Sequence, residues 1–176
     1  MPRFPHIGIT AGDPCGIGPE VTVKALKDSK LHRLAEFTLI GPASVLTKSI
    51  SRQNRERIAV VDPCPELTHN IRPGRPNAKS ARASVFYLQS AISLLRSGTI
   101  DGLVTGPVSK EAISNLGIPF VGHTEYLAAA FRVKNFEMMF VSPTLKTVIV
   151  TRHISIQKIP AALTKAEILN TVRLTH

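Results

Sequence analysis

Short apolar strands alternate with helices of comparable length along the chain, and this alternation narrows its possible folds more than any other feature. His6 to Thr10 reads as a buried strand, and Pro19, which suits a first helical turn, opens a helix to about Lys30. Phe37 to Ile40 is a second strand, Pro42 to about Gln53 a helix, and Ile58 to Val61 a third strand. Between Asp62 and Asn77 the prolines Pro63, Pro65, Pro73 and Pro76 predict an irregular loop. The longest helix is expected from Lys79 to Arg96, where Ala83, Phe86, Tyr87, Ser90, Ala91 and Leu94 recur at spacings of three and four. Asp101 to Thr105 is the next strand, and a helix from about Ser109 to Leu116 ends at Gly117, which suits a left-handed cap. A helix from His123 to Phe131 and strands over Met138 to Val141 and Lys146 to Val150 follow. A final helix begins at the capping box Thr164-x-x-Glu167 and is still running at His176. Such a pattern predicts an α/β fold with a largely parallel sheet.

With 176 residues and a hydrophobic fraction of 43%, the chain has the length and composition of one domain with a real core. No apolar run approaches the roughly 18 residues of a membrane span. The start, Met1-Pro2-Arg3-Phe4-Pro5, lacks the apolar region of a secretion signal. Cys15 and Cys64 have no metal-type spacing, so free thiols and a cytoplasmic location are expected. Twenty-two Lys and Arg outweigh 12 Asp and Glu, which raises the question of nucleic acid. The basic residues are scattered, however, aromatic content is 5% and tryptophan is absent, so stacking platforms for bases are scarce. Neither a membrane nor a nucleic-acid partner is expected.

Four stretches have the composition of ligand sites. Thr10-Ala11-Gly12-Asp13-Pro14-Cys15-Gly16-Ile17-Gly18-Pro19-Glu20 places glycines between a strand and a helix N-terminus, where backbone can approach an anion. It matches neither GxGxxG nor the Walker A loop, and a tight turn requiring positive φ explains the glycines as well. Asp101 to Glu111 carries a strand into Gly106-Pro107 and a helix at the carboxyl edge of the sheet, with Lys110 available to a phosphate or carboxylate. Val121 to Leu127 presents His123 and Thr124 at a helix start, where Thr124 could be the cap and His123 a donor to an anion. Val148 to Ile156 puts His153 directly after a strand, but one histidine makes no metal site, since catalytic sites usually have about three protein ligands. Taken singly, such histidines are more often structural than functional.

Taken together, ITAGDPCGIGPE (9–20), LVTGPVSKE (103–111), VGHTEYLA (121–128), MMFVSPTLKTVIVTRHIS (138–155) and IPAALT (159–164) resemble the 4-hydroxythreonine-4-phosphate dehydrogenase family of vitamin B6 biosynthesis. That family belongs with the isocitrate and isopropylmalate dehydrogenase-like enzymes. The resemblance implies an isocitrate dehydrogenase-like α/β/α sandwich, with residues 1–176 forming the N-terminal part of one catalytic unit whose C-terminal part is absent. It implies NAD as hydride acceptor and a divalent metal cation (zinc, magnesium or cobalt). The implied substrate is a small phosphorylated hydroxy-amino acid, 4-phosphohydroxy-L-threonine, which is oxidised and decarboxylated to 3-amino-2-oxopropyl phosphate. By motif match His123 and Thr124 bind substrate and His153 is a metal ligand, in a homodimer that shares its sites. The other two metal histidines, a lysine–asparagine–arginine substrate set and most of the NAD pocket are expected beyond residue 176, with the catalytic residues unassigned, so the chain alone is expected to be an incomplete enzyme. Ala81, Arg152 and Ser155 depart from residues common in the family. Two alternatives remain at this point: a sister dehydrogenase of 4-phosphorylated threonate or erythronate, and a non-catalytic binding subunit.

Overall fold

The computed structural model describes residues 3–50, 57–69 and 71–176. It divides into two compact units, residues 1–127 and 128–176. The first is built on four parallel strands, β1 (His6–Thr10), β2 (Glu36–Ile40), β3 (Ile58–Val61) and β4 (Gly102–Thr105), in the spatial order β3-β2-β1-β4. The chain winds outward from β1 through β2 to β3 and then crosses back to lay β4 on the other side of β1. Ile7 therefore pairs with Phe37 on one side and with Gly102 on the other.

Alternation along β2 shows how the two faces are covered. Phe37 and Leu39 point to a core with Val23 and Leu26, which flank the end of α1 (Gly18–Ala25), and with Leu46 of α2 (Ala43–Ser49). Ile40 joins the opposite core with Cys64, with Leu67 of α3 (Pro65–Thr68), and with Ala83, Tyr87 and Ala91 of α4 (Ala78–Arg96). The first unit is thus an α/β/α arrangement around a parallel sheet, as the alternation predicts. The apolar face of α4 is wide enough to carry a further layer: Ala81, Val85 and Leu88 pack with Ile113 of α5 (Lys110–Ser114) and with Phe120. Asn77 caps α4, accepting from the Lys79 and Ser80 amides, while Ser80 reciprocates at the Asn77 amide.

Two expectations need correction. The first helix stops at Ala25 instead of about Lys30, because the Asp28 carboxylate accepts from the Lys30 amide (2.9 Å) and offers the backbone a turn in place of another helical bond. The proline-rich loop contains the one-turn helix α3, with Pro65 at its first position and the partly buried Leu67 packed against the core that α4 covers. The strands β5 (Met139–Val141) and β6 (Lys146–Val148) pair antiparallel, as a hairpin separate from the parallel sheet. The expected run of α2 to Gln53 lies outside the described residues.

In the second unit, α6 (His123–Phe131), which begins in the first, leads to the hairpin, to the single turn α7 (Ile159–Ala162) and to α8 (Lys165–Thr175). Thr164 caps α8 by accepting from the Glu167 amide at 3.2 Å. No helix among the described residues is long and apolar enough to cross a membrane.

Candidate functional site

The order β3-β2-β1-β4 puts the reversal of winding between β1 and β4, and in open α/β sheets ligands bind outside the carboxyl ends of the strands at such a point. Here the two loops leaving β1 and β4 are fastened to each other. The Gly106 amide donates to the Thr10 carbonyl (2.8 Å) and the Asp13 amide to the Pro107 carbonyl (2.9 Å). Gly12 has φ +74°, and a Cβ placed on it would lie 2.2 Å from the Pro107 oxygen. The nearly invulnerable closeness is backbone against backbone, so this glycine serves chain packing, the second of the two readings the sequence left open. Asp13 is buried and accepts from the Cys15 amide (2.8 Å), which fixes the turn into α1.

From this edge β4 feeds the second and third motifs. Ser109 caps α5, accepting from the Ala112 amide at 3.2 Å, and Lys110 is the first residue of that helix. After α5, Gly117 (φ +74°) turns the chain as its left-handed cap conformation requires, and Phe120 anchors the loop in the core. The chain then reaches the start of α6. Its first helical bond is made by the Gly122 carbonyl, which accepts from the Tyr126 amide (3.1 Å). Gly122 thus occupies the capping position, and Thr124 stands half-buried one residue into the helix.

His123 packs edge-on against Phe120, with ring centroids 5.6 Å apart and planes at 85°. Its Nε2 is buried without a hydrogen-bond partner among the described residues. Burial first, and then the positive charge of Lys110, push the imidazole below its ordinary pKa. Lys110 lies near the start of α6: a Cβ on Gly122 would sit 3.6 Å from Lys110 Nζ, an ordinary contact distance, and 2.9 Å from Glu125 Oε2. The structure therefore gathers Lys110, His123 and Thr124 at one helix start. An imidazole kept neutral, a lysine ammonium and the free amides of α6 together favour an anion.

His153 belongs to the second unit, where it is exposed and has φ 52°, an uncommon backbone state for a non-glycine residue that is found preferentially at functional positions. The residue before it is tightly held. Arg152 donates to the Glu137 carboxylate and to the Phe136 carbonyl (3.3 Å), and its guanidinium lies 4.9 Å from the centroid of the Phe136 ring. Glu137 in turn accepts from the Thr171 hydroxyl on α8 (3.1 Å). Arg152, where the family commonly has threonine, thus has its own anionic partner. Nothing in the sequence pattern around Glu137 or Thr171 points to this pairing. Among the described residues no group of three His, Cys, Asp or Glu side chains could hold a metal, so His153 and its surroundings do not form a complete metal site.

The family of the pyridoxal phosphate biosynthetic protein PdxA matches residues 19–176. The chain belongs to that family. It is 31% identical over 189 residues to the 4-hydroxythreonine-4-phosphate dehydrogenase of Trichlorobacter lovleyi, a match covering 97% of this chain and 56% of that protein. It is also 33% identical over 175 residues to the D-threonate 4-phosphate dehydrogenase of Bordetella bronchiseptica, covering 89% of this chain and 50% of that one. The crystal structure of a 4-hydroxythreonine-4-phosphate dehydrogenase from Burkholderia phymatum superposes with a TM-score of 0.83 at 29% identity, over 98% of this chain and 57% of that one. The chain thus spans about half the length of the PdxA-family relatives it matches. Its α/β fold is that of the PdxA dehydrogenases, and its relatives are oxidoreductases.

Proposed function

We propose that this chain carries the substrate-anion site and one metal-ligand position of an NAD-dependent dehydrogenase that oxidises 4-phosphohydroxy-L-threonine and releases CO₂ to leave 3-amino-2-oxopropyl phosphate. The observation that carries this reading is the unpartnered, buried Nε2 of His123 beside Lys110 at the start of α6. In a protein of the PdxA family such a group calls for an anionic ligand. When bound, NAD would accept the hydride from the secondary alcohol, and the β-keto acid so formed would lose CO₂. The part played by this chain's own residues is binding and orientation. His123 and Thr124 contact the substrate, and His153, in its left-handed backbone state, is the metal ligand. The divalent metal (zinc, magnesium or cobalt) would need donors besides His153, as the described residues hold no group of three His, Cys, Asp or Glu side chains that could bind it.

A homodimer would supply such donors. In the second unit the apolar side chains of Phe140 and Val141 on β5, and of Leu145 and Ile156 beside the hairpin, are exposed, as expected of an interface in a cytoplasmic enzyme assembled from copies. We further propose that turnover requires groups outside these 176 residues.

The second reading, oxidation of D-threonate 4-phosphate, is favoured by the near-equal similarity to the Bordetella bronchiseptica enzyme. The two substrates differ in whether C2 bears an amino or a hydroxyl group. Incubating the purified chain with NAD, a divalent metal and each substrate in turn, and following NADH, tests both readings. Silence is expected from the chain alone. Recovery of activity on mixing with a polypeptide that supplies the C-terminal part of a PdxA relative would identify the preferred substrate. Failure to bind either phosphorylated substrate would overturn the assignment of His123 and Thr124.

A further inference from the structure

We propose that Arg152 and Glu137 are positioning residues for His153: they clamp the chain directly ahead of it, so that its imidazole is presented from a backbone state set in advance by the fold. The inference rests on the reading of His153 as a metal ligand and adds to it the groups that hold that ligand in place. His153 has φ 52°, in the left-handed region, a conformation that a residue with a side chain populates roughly tenfold less in a free chain. Something has to keep it there. Among the described residues His153 itself makes no hydrogen bond, ion pair or ring contact, and it is exposed, so the restraint comes from its neighbours in the chain.

The hold lies on the side of residue 152. The Arg152 guanidinium donates to the Glu137 carboxylate and to the Phe136 carbonyl (3.3 Å), and it lies over the Phe136 ring, 4.9 Å from the centroid. These contacts tie the loop after β6 to the segment that enters β5. The Ile149 amide, donating to the Met138 carbonyl (3.4 Å), ties the same two segments a second time. Glu137 is fixed from a third side by the Thr171 hydroxyl of α8 (3.1 Å). The Arg152 and Glu137 side chains are 20% and 14% exposed, against 40% or more for both members of the Arg3–Asp101 and Lys24–Glu20 pairs, so this pair is shielded from the water and salt that loosen surface pairs. A planar guanidinium with a ring on its face and a carboxylate at its edge keeps one orientation, which a lysine ammonium would not. Residue 152 is joined to His153 by a planar peptide, so once it is fixed only φ and ψ of residue 153 direct the imidazole. Two residues further on, the Ser155 carbonyl accepts from the Lys158 amide (2.9 Å) and opens a tight turn, which holds the chain on the other side.

The test follows residue 153 by NMR in the full chain, since a positive φ brings the amide and α protons of one residue closer together than any allowed negative φ does. Wild type is expected to give a strong cross-relaxation peak between these two protons of His153, assigned with the His153→Asn variant. Glu137→Gln removes the charge with little change of shape and should let the left-handed population fall to about a tenth, leaving a peak of ordinary strength. Arg152→Lys keeps a cation for Glu137 but loses the fork and the stacking, and should fall between the two; it decides the matter if Glu137→Gln loosens the second unit as a whole. A peak as strong in both variants as in wild type would overturn the proposal, and so would a wild type without it. In the NADH assay of the chain mixed with a polypeptide supplying the C-terminal part, Glu137→Gln should raise the cobalt concentration for half-maximal rate by roughly tenfold, because only the competent fraction presents the ligand, with a much smaller effect on the rate at saturating cobalt. A rate lowered equally at every cobalt concentration would mark a merely structural role and overturn the positioning one. His153→Asn separates the two readings: a cobalt requirement indifferent to it would remove His153 as a ligand and leave the NMR result on Arg152 and Glu137 standing.

Discussion

Replacing Gly12 by alanine isolates the contact that joins the loops after β1 and β4, because Gly117 provides a matched control. Both glycines have φ +74°, so alanine at either position pays the same left-handed backbone penalty, about 1–2 kcal/mol. Around Gly117 nothing lies within 4 Å of the added methyl. At Gly12 the methyl meets the Pro107 oxygen at 2.2 Å, the Gly106 carbonyl carbon at 2.7 Å and the Gly106 oxygen at 2.9 Å. All three are backbone atoms, so no side chain can swing aside and the two loops must separate. Overpacking of this kind typically costs about 1–3 kcal/mol. The separation also strains the Asp13–Pro107 hydrogen bond, worth about 0.5–1.5 kcal/mol net. Gly12→Ala should therefore destabilise the chain by about 1.5–4.5 kcal/mol more than Gly117→Ala, the sum of those two terms. Urea unfolding followed by far-UV circular dichroism measures the difference; with a slope near 2 kcal/mol/M the two midpoints should lie about 1–2 M apart. Coincident midpoints would refute the claim that this glycine is required by the loop-to-loop contact.

Other substitutions and conditions probe the remaining assignments. Burial, followed by the charges of Asp62 and Glu66, pushes the Cys64 thiol up to about 12, and both cysteines are almost wholly buried, so neither should react with Ellman's reagent at pH 8 until the chain is unfolded; rapid labelling of either in the folded chain would contradict this. Because His123 is held below its ordinary pKa, the unfolded chain binds the extra proton first: stability should be full above about pH 6.5 and should fall as the pH drops from there toward the depressed value, and His123→Asn should flatten that slope in thermal melts. Glu137→Gln leaves Arg152, only 20% exposed, without its anion and should cost about 1–3 kcal/mol, seen as faster amide exchange around residues 136–153; unchanged exchange there would deny the ion pair its anchoring role.

How much of this was legible in the sequence differs between elements for physical reasons. The strands β1, β3 and β4 and the helix α4 are each specified by their own residues, through short apolar runs or a three-and-four apolar spacing, and they form within a residue of the expected bounds. Just beyond the end of α1 the Asp28 carboxylate accepts from the Lys30 amide in a turn, which periodicity cannot register. The strands β5 and β6 could be read as a pair, but not their antiparallel direction, since an apolar run does not state it. At the candidate site, the motif around His123 and Thr124 could be read along the chain. The approach of Lys110 could not, because it depends on how α5 and α6 come together in the folded chain. Arg152 stood out as a departure from its relatives, but its partners Glu137 and Thr171 become visible only once the second unit is folded.

The central place of β1 has a consequence for synthesis on the ribosome. Residue 7 finds its first neighbour at residue 37, but its second only at residue 102. While the intervening chain is being made, β1 therefore presents an unpaired edge with its hydrogen-bonding groups free, the condition under which strands join the wrong partner. The parts that carry Lys110 and His123 emerge immediately after β4 fills that gap. A nascent chain stalled before β4 would therefore lack both the segment carrying Lys110 and His123 and the strand that covers the second edge of β1.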